Sequence, residues 1–213
     1  KEKDGLPNNV IKSILEDESG NLWVATNKGL CRFDPVQLDF KNYDVSDGLQ
    51  SNEFSELAAY KRQNGEFLFG GVKGFNVFYP NCISDNLHFP QVAITDFQVF
   101  NQSVPVNVEF NGRIVLPKVI SLAEKVNLNY WENDFSLEFS ALHFASPSKN
   151  QYAYMLEGYD EDWVYTNADK RFATYTNLKH GNYNFHIKAA NNDGIWNEEP
   201  ISLAISIAPP FWL

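Results

Sequence analysis

Apolar and polar positions alternate along most of this chain, and the length of the alternating runs changes near residue 80. Before that point the runs are short, over 10–16, 21–26, 29–34 and 37–43. Asp17-Glu18-Ser19-Gly20 and Asn27-Lys28-Gly29 break them. A period of two predicts strands, and Gly, Asn and Asp at the breaks predict tight turns, glycine by supplying positive φ. The fourth run, Leu38 to Tyr43, alternates apolar and polar, as a half-solvated outer strand should. The whole pattern then recurs. Gly5-Leu6 and Asn9 open the first copy, and Gly48-Leu49 and Asn52 the second. Gly20, Leu22-Trp23-Val24, Gly29, Phe33 and Pro35 return as Gly65, Phe67-Leu68-Phe69, Gly74, Phe78 and Pro80. The offset is 43 residues from Gly5 to Gly48 and 45 from Gly20 to Gly65, so the second copy carries an insertion of two. A repeat of this length, built of short strands and glycine turns, reads as a β-propeller blade. Two blades do not close a propeller, so the expectation is one end of something larger.

Pro80-Asn81 and Asp85-Asn86 mark a linker running to Pro90. Beyond it the alternating runs lengthen. Val126, Leu128 and Tyr130 share one phase, as do Phe135, Leu137 and Phe139. Tyr152, Tyr154 and Leu156, then Tyr183, Phe185, Ile187 and Ala189, then Ile201 to Ile207 continue the series. About seven strands in some 120 residues, separated by turn signals, predict an immunoglobulin-like β-sandwich. Leu142 and Phe144 fall out of phase with their strand, which predicts a bulge near Ala141. No segment carries a helical period. The expected organisation is therefore all-β: two blades over 1–80, a linker over 81–90 and a sandwich over 91–213. Within the sandwich, Leu178-Lys179-His180-Gly181-Asn182-Tyr183 has the form of a tyrosine corner. There a Tyr hydroxyl bonds back to the backbone a few residues upstream and locks a crossover between sheets.

Composition narrows the function. Hydrophobic content of 44% and aromatic content of 15% supply real cores. A net charge of -10 argues against a nucleic-acid partner, which requires a basic face. No apolar run is long enough to cross a bilayer. The chain starts at Lys1, so it reads as an excised segment. Cys31 and Cys82 lie far apart. A disulfide is one option, and Cys31 as a small buried apolar residue of a blade strand is the other.

No catalytic constellation is visible, and no catalytic, cofactor or metal residue is assigned. His88, His143, His180 and His186 share no metal-ligand spacing. There is no nucleophile elbow, phosphate loop or dinucleotide fingerprint. Glu157 with Asp160-Glu161-Asp162, and Asp17 to Asn21, offer hard oxygen donors, but a solvated loop and a hairpin turn explain them without metal. Most rings fall on inward phases. Trp23, Trp131 and Trp196 are the ones not settled by phase, and each is a candidate sugar-stacking surface.

Some of these residues carry a resemblance. Gly5-Leu6-Pro7-Asn8-Asn9 to Ile14, then Glu16-Asp17, Gly20-Asn21-Leu22-Trp23-Val24-Ala25-Thr26 and Gly29-Leu30, resemble the two-component regulator propeller repeat. The second copy is degenerate, with Leu68 in place of Trp23 and Gly71 in place of Thr26. The remainder resembles the triple-tyrosine (YYY) domain that follows such propellers. The matching residues are Tyr152, Tyr154, Leu156 and Gly158, Trp163, Tyr175-Thr176-Asn177-Leu178, Gly181, Tyr183, Asn192, Gly194 and Trp196. Pro209-Pro210-Phe211-Trp212 matches the point where that family's chain turns toward a membrane-spanning helix. Tyr154, Tyr175, Leu178, Gly181 and Tyr183 are then structural motif residues of the sandwich. The resemblance implies the periplasmic, membrane-proximal part of a hybrid sensor histidine kinase responding to polysaccharide fragments. It further implies a glycan held mainly by propeller parts outside this segment, and a two-blade piece that cannot bury its own edge strands predicts a homodimer. A carbohydrate-binding accessory module of a secreted enzyme or adhesin is the alternative.

Overall fold

Strands form where alternation and glycine turns coincide. We describe residues 1–84 and 86–212 in a computed structural model. The chain separates into two units, Lys1–Asp85 and Asn86–Leu213. In the first, β1 (Ile11–Glu16), β2 (Leu22–Thr26), β3 (Gly29–Asp34) and β4 (Asp39–Tyr43) make one antiparallel sheet in sequence order. A second antiparallel sheet follows from β5 (Phe54–Lys61), β6 (Phe67–Gly71) and β7 (Gly74–Phe78). The faces that meet are aromatic: Trp23, Leu30, Phe54, Phe67 and Phe69 are buried, with Leu15, Tyr43 and Phe78 packed on them. Trp23 stacks on Tyr43 at 5.6 Å and leans on Phe78 at 4.9 Å between centroids. Gly29 shows why the repeat keeps its glycine. Its φ is +110°, a Cβ there would lie 2.3 Å from the Tyr43 carbonyl oxygen, and its N–H donates to the Asn52 carbonyl at 2.6 Å.

Among the described residues the second blade has three strands rather than four. At the offset of 45, the positions matching β4 include Asn86 and His88. Their backbone is committed elsewhere, because both carbonyls accept from the Asn191 amide. Pro80–Cys82 forms a 3₁₀ turn in place of a strand entry.

The second unit is a sandwich of two sheets. One holds β12 (Lys125–Leu128), β18 (Ile201–Ile207), β17 (Gly181–Ala190), β14 (Gln151–Glu157) and β15 (Val164–Asn167), in that order. The other holds β16 (Phe172–Tyr175), β13 (Phe135–Ala141), β8 (Val92–Val99) and β9 (Gln102–Ser103). A small hairpin, β10 (Glu109–Phe110) with β11 (Arg113–Ile114), stands beside them. Inward residues of both sheets form one core, including Phe97, Phe135, Leu137, Phe139, Tyr152, Phe185, Ile187, Leu203 and Ile205. This alternation of facing sheets, with propeller strands before it, is the all-β architecture expected.

Three details differ from expectation. The bulge near Ala141 is not there. The register shift falls between Glu138 and Phe139, and the extra residue is on the partner strand: Glu138 faces Asp96, and Phe139 faces Ile94. Leu142 and Phe144 keep the phase of β13 and simply point outward, while Ala141 and His143 point inward and are buried. Tyr130 lies beyond the end of β12 and is exposed, so it does not share the inward face of Val126 and Leu128. The third is topological. β12 pairs with β18 in parallel, Lys125 opposite Ala204 through Leu128 opposite Ile207. The other paired strands of the two sheets are antiparallel. Periodicity carries no information on strand direction, so this pairing was not legible from the alternation.

Candidate functional site

The sandwich is tied to the chain entering it by several side chains, with Asn191 at their centre. Asn191 follows β17, is fully buried, and uses every donor and acceptor of its amide. Its Nδ2 donates to the carbonyls of Asn86 at 2.6 Å and His88 at 2.9 Å. Its Oδ1 accepts from the N–H of Asp193 at 2.9 Å and Ile195 at 3.0 Å. Around it the Asn86 N–H donates to Asp193 Oδ2 at 2.6 Å, and Asn86 Nδ2 donates to His143 Nε2 at 2.8 Å. With Nε2 accepting, Nδ1 of His143 is the donor, and it meets Asn150 Oδ1 at 3.2 Å. Asn197 Nδ2 adds a bond to the Pro90 carbonyl at 3.3 Å. Residues 86–90, read from sequence as linker, are thus fastened by side chains from 143–197. His143 is a structural member of this network.

Tyr183 and Tyr175 act through their hydroxyls. Tyr183 Oη donates to the Lys179 carbonyl at 2.9 Å, the geometry of a tyrosine corner. Tyr175 Oη donates to Asp160 Oδ2 at 2.8 Å, and that oxygen also accepts the Leu156 N–H at 2.7 Å. Burial and then the Asp160 carboxylate push the Tyr175 phenol far above its usual range, so it remains a donor at all ordinary pH. Tyr154 lies in the same aromatic group, 5.7 Å from Phe139 and 6.1 Å from Phe185, and is raised by burial and by Asp160. Leu178 is buried, with its N–H on the Asn133 carbonyl at 3.2 Å, and Gly181 opens β17 opposite Ile207. The acidic run is therefore engaged in part. Asp160 anchors Tyr175, and Glu157 is held below the usual carboxylate range by the His186 hydrogen bond and then the Asn184 one.

In the first blade Asp17 fixes the turn. Its Oδ1 accepts from the N–H of Ser19 and Asn21, and its Oδ2 from Asn21 Nδ2 and from Trp23 Nε1 at 2.9 Å. Burial raises the Asp17 carboxyl, but the bonds from Trp23, Asn21 and Ser19 outweigh it, so it titrates below its ordinary value. Asp17 borders a cleft of about 320 Å³ whose polar lining includes Asn21, Arg32, Lys61, Asn64 and Tyr79. These groups bond one another and the backbone: Asn64 Nδ2 donates to Tyr79 Oη at 3.1 Å, and Lys61 Nζ to the Glu16 carbonyl at 3.0 Å. Among the described residues no group of three or more His, Cys, Asp or Glu is placed to hold a metal. Cys31 is a free, buried thiol, pushed up to about 12 by burial and then Asp39, while Cys82 is free and exposed.

The three unsettled tryptophans part company. Trp23 is core and is withdrawn as a sugar surface. Trp196 is half-buried and packs edge-on to Tyr165 at 5.7 Å. Lys188 Nζ lies over its ring at 5.5 Å and over that of Trp163 at 5.2 Å. Trp131 is exposed. Sequence reading missed Asn191 altogether. The only signal was its place before Asn192-Asp193-Gly194, where a turn explained the asparagines without a further role.

Family models match this chain at two places: the two-component regulator propeller at residues 5–28 and the Y_Y_Y domain at residues 143–208. The first match falls in the first unit and the second in the sandwich. The segment is similar to histidine kinase P4 of Formosa agariphila, with 38% identity over 209 residues, 98% of this chain and 15% of that protein. Its fold matches the extracellular domain assigned to a hybrid two-component system of B. thetaiotaomicron. There the TM-score is 0.80 at 30% identity, over 98% of this chain and 27% of the other. A second B. thetaiotaomicron domain, assigned to a one-component system, matches with a TM-score of 0.52 at 27% identity, over 96% and 26% of the two chains. The segment spans well under a third of each relative. It resembles an extracellular sensor domain of a two-component system, and no helix among the described residues is long and apolar enough to cross a membrane.

Proposed function

We propose that this segment is the membrane-proximal, periplasmic part of a hybrid sensor histidine kinase and relays ligand occupancy toward the kinase. The observation that carries the reading is the 0.80 match, over nearly the whole segment, to an extracellular domain of such a system. The ligand class is a polysaccharide fragment, held mainly by propeller blades outside this segment. Two features suit relay rather than chemistry. The chain entering the sandwich is fastened by Asn191. The chain leaving it is a fully paired strand followed by Pro209-Pro210, where neither residue donates to a ladder and both fix φ. A displacement entering at Asn86 then crosses a packed body and leaves through a stiff exit. A homodimer would turn a change in sandwich spacing into a change at the kinase.

The test is the full-length parent protein in membranes, its autophosphorylation followed as polysaccharide digests are added. We expect one glycan class to change the rate. A Gly-Ser stretch inserted between Ala208 and Pro209 should abolish that response while glycan binding persists. If no glycan changes the rate, the sensor reading fails. If the insertion mutant responds with normal amplitude, the rigid-exit relay fails.

A further inference from the structure

The register of the sandwich gathers exposed aromatic rings at one of its ends. Leu128 lies opposite Ile207, and the Ala208 N–H donates to the Leu128 carbonyl at 2.9 Å. The loop after β12 therefore starts beside the chain leaving β18. That loop carries Tyr130 and Trp131, and the leaving chain carries Phe211 and Trp212. Tyr130 and Trp212 meet edge to face at 5.6 Å, and Phe211 and Trp212 at 4.9 Å. Yet Tyr130 is 40%, Trp131 61% and Trp212 65% exposed. Gly181 opposite Ile207 brings the exposed Lys179 and His180 to the same end.

We infer that this end is a lipid-interface surface, in which Tyr130, Trp131 and Trp212 seat in the headgroup layer of a bilayer. The chemistry is that of amphipathic rings: Trp and Tyr bury an apolar body while an N–H or O–H stays at the wet boundary, and they concentrate at membrane interfaces for that reason. Lys179 supplies a cation for lipid phosphates. The loop matters most. Trp131 is far in sequence from the leaving chain, so the surface has two independent points of contact and fixes the tilt of the sandwich as well as its height. The inference rests on the sensor reading for its membrane, and vesicle binding can fail or succeed irrespective of kinase response to glycan.

The experiment is co-sedimentation of the 213-residue chain with vesicles of phosphatidylethanolamine and phosphatidylglycerol, with quenching of tryptophan emission by brominated lipid alongside. We expect the wild-type chain to partition onto vesicles with blue-shifted, quenched emission. Trp131→Ser and Trp212→Ser should each lower partition by about tenfold, the factor that about 1.4 kcal/mol represents. Trp196→Ser should leave it unchanged. Both aromatic sites are exposed, so thermal unfolding should be unaltered and will show that the variants are folded. The inference is overturned if the wild-type chain stays in the supernatant, or if Trp131→Ser binds as well as wild type. It is also overturned if the blue shift appears without vesicles and grows with protein concentration, which would make the surface the seat of a second copy.

Discussion

Replacing Asn191 should cost the sandwich more than any other single polar change. Asn191→Ala removes a fully buried amide that makes four hydrogen bonds, between 2.6 and 3.0 Å. It leaves the carbonyls of Asn86 and His88 and the N–H groups of Asp193 and Ile195 without their partners. An unsatisfied buried group costs about 1–3 kcal/mol, and water entering the small vacated space will recover part of that. We expect a loss of about 3–5 kcal/mol, a large share of the roughly 5–15 kcal/mol that a domain has in total. Asn191→Asp is the sharper variant. It keeps the shape and both acceptors, but turns a carboxylate oxygen onto two carbonyl oxygens. It should destabilise comparably at neutral pH and recover partly in acid, as the introduced carboxyl takes a proton it can donate. The neighbour is the control. Asn192 Oδ1 has no partner, so Asn192→Ala should cost about 1 kcal/mol or less. Urea unfolding followed by far-ultraviolet circular dichroism measures each loss, and amide exchange at 86–90 shows whether the entering chain is released. A loss below about 1 kcal/mol for Asn191→Ala would refute the clamp.

Tyr183→Phe deletes the bond to the Lys179 carbonyl and should lower stability by about 1 kcal/mol, read as a shift in the urea midpoint. Asp17→Asn places an amide N–H₂ against donors that Asp17 accepts, and should cost the first unit about 2 kcal/mol, seen as altered Trp23 fluorescence on unfolding. Because the folded Asp17 carboxyl lies below its ordinary 3.8, its stabilisation is present above that pH and is lost as pH falls through the folded value. An acid titration should therefore show wild type converging on Asp17→Asn only below about pH 4. Gly29→Ala would drive a Cβ into the Tyr43 carbonyl at a positive φ, and proteolysis should cut the blades of that variant much faster than wild type.

Much of the architecture was legible because β structure here is written locally. Gly20, Gly29, Gly65 and Gly74 adopt positive φ at turns, and their repeat announced the blades before any contact was known. Tyr183 was legible for the same reason, since its partner is four residues away. What stayed hidden depends on distant pairs. The carbonyls to which Asn191 donates lie more than a hundred residues upstream, and alternation cannot report them. Leu142 and Phe144 point to a bulge near Ala141 by hydrophobicity alone, whereas the extra residue is carried by β8, where nothing in the alternation marks it. Trp23 and Trp131 had equal standing in sequence. Only packing separated the ring that fills the blade core from the ring left in solvent.

The parallel pairing of β12 with β18 has a mechanical consequence. The last strand is not at an edge: it holds seven registered pairs with β17 on one side and four with β12 on the other. A pull on Ala208 along the strand axis loads those ladders together, in shear, and cannot peel them open one bond at a time. Strands loaded in this way slip only when many bonds fail at once, so the chain leaving the sandwich behaves as a rod under tension. Tugging on it would turn the whole body before it drew the strand out.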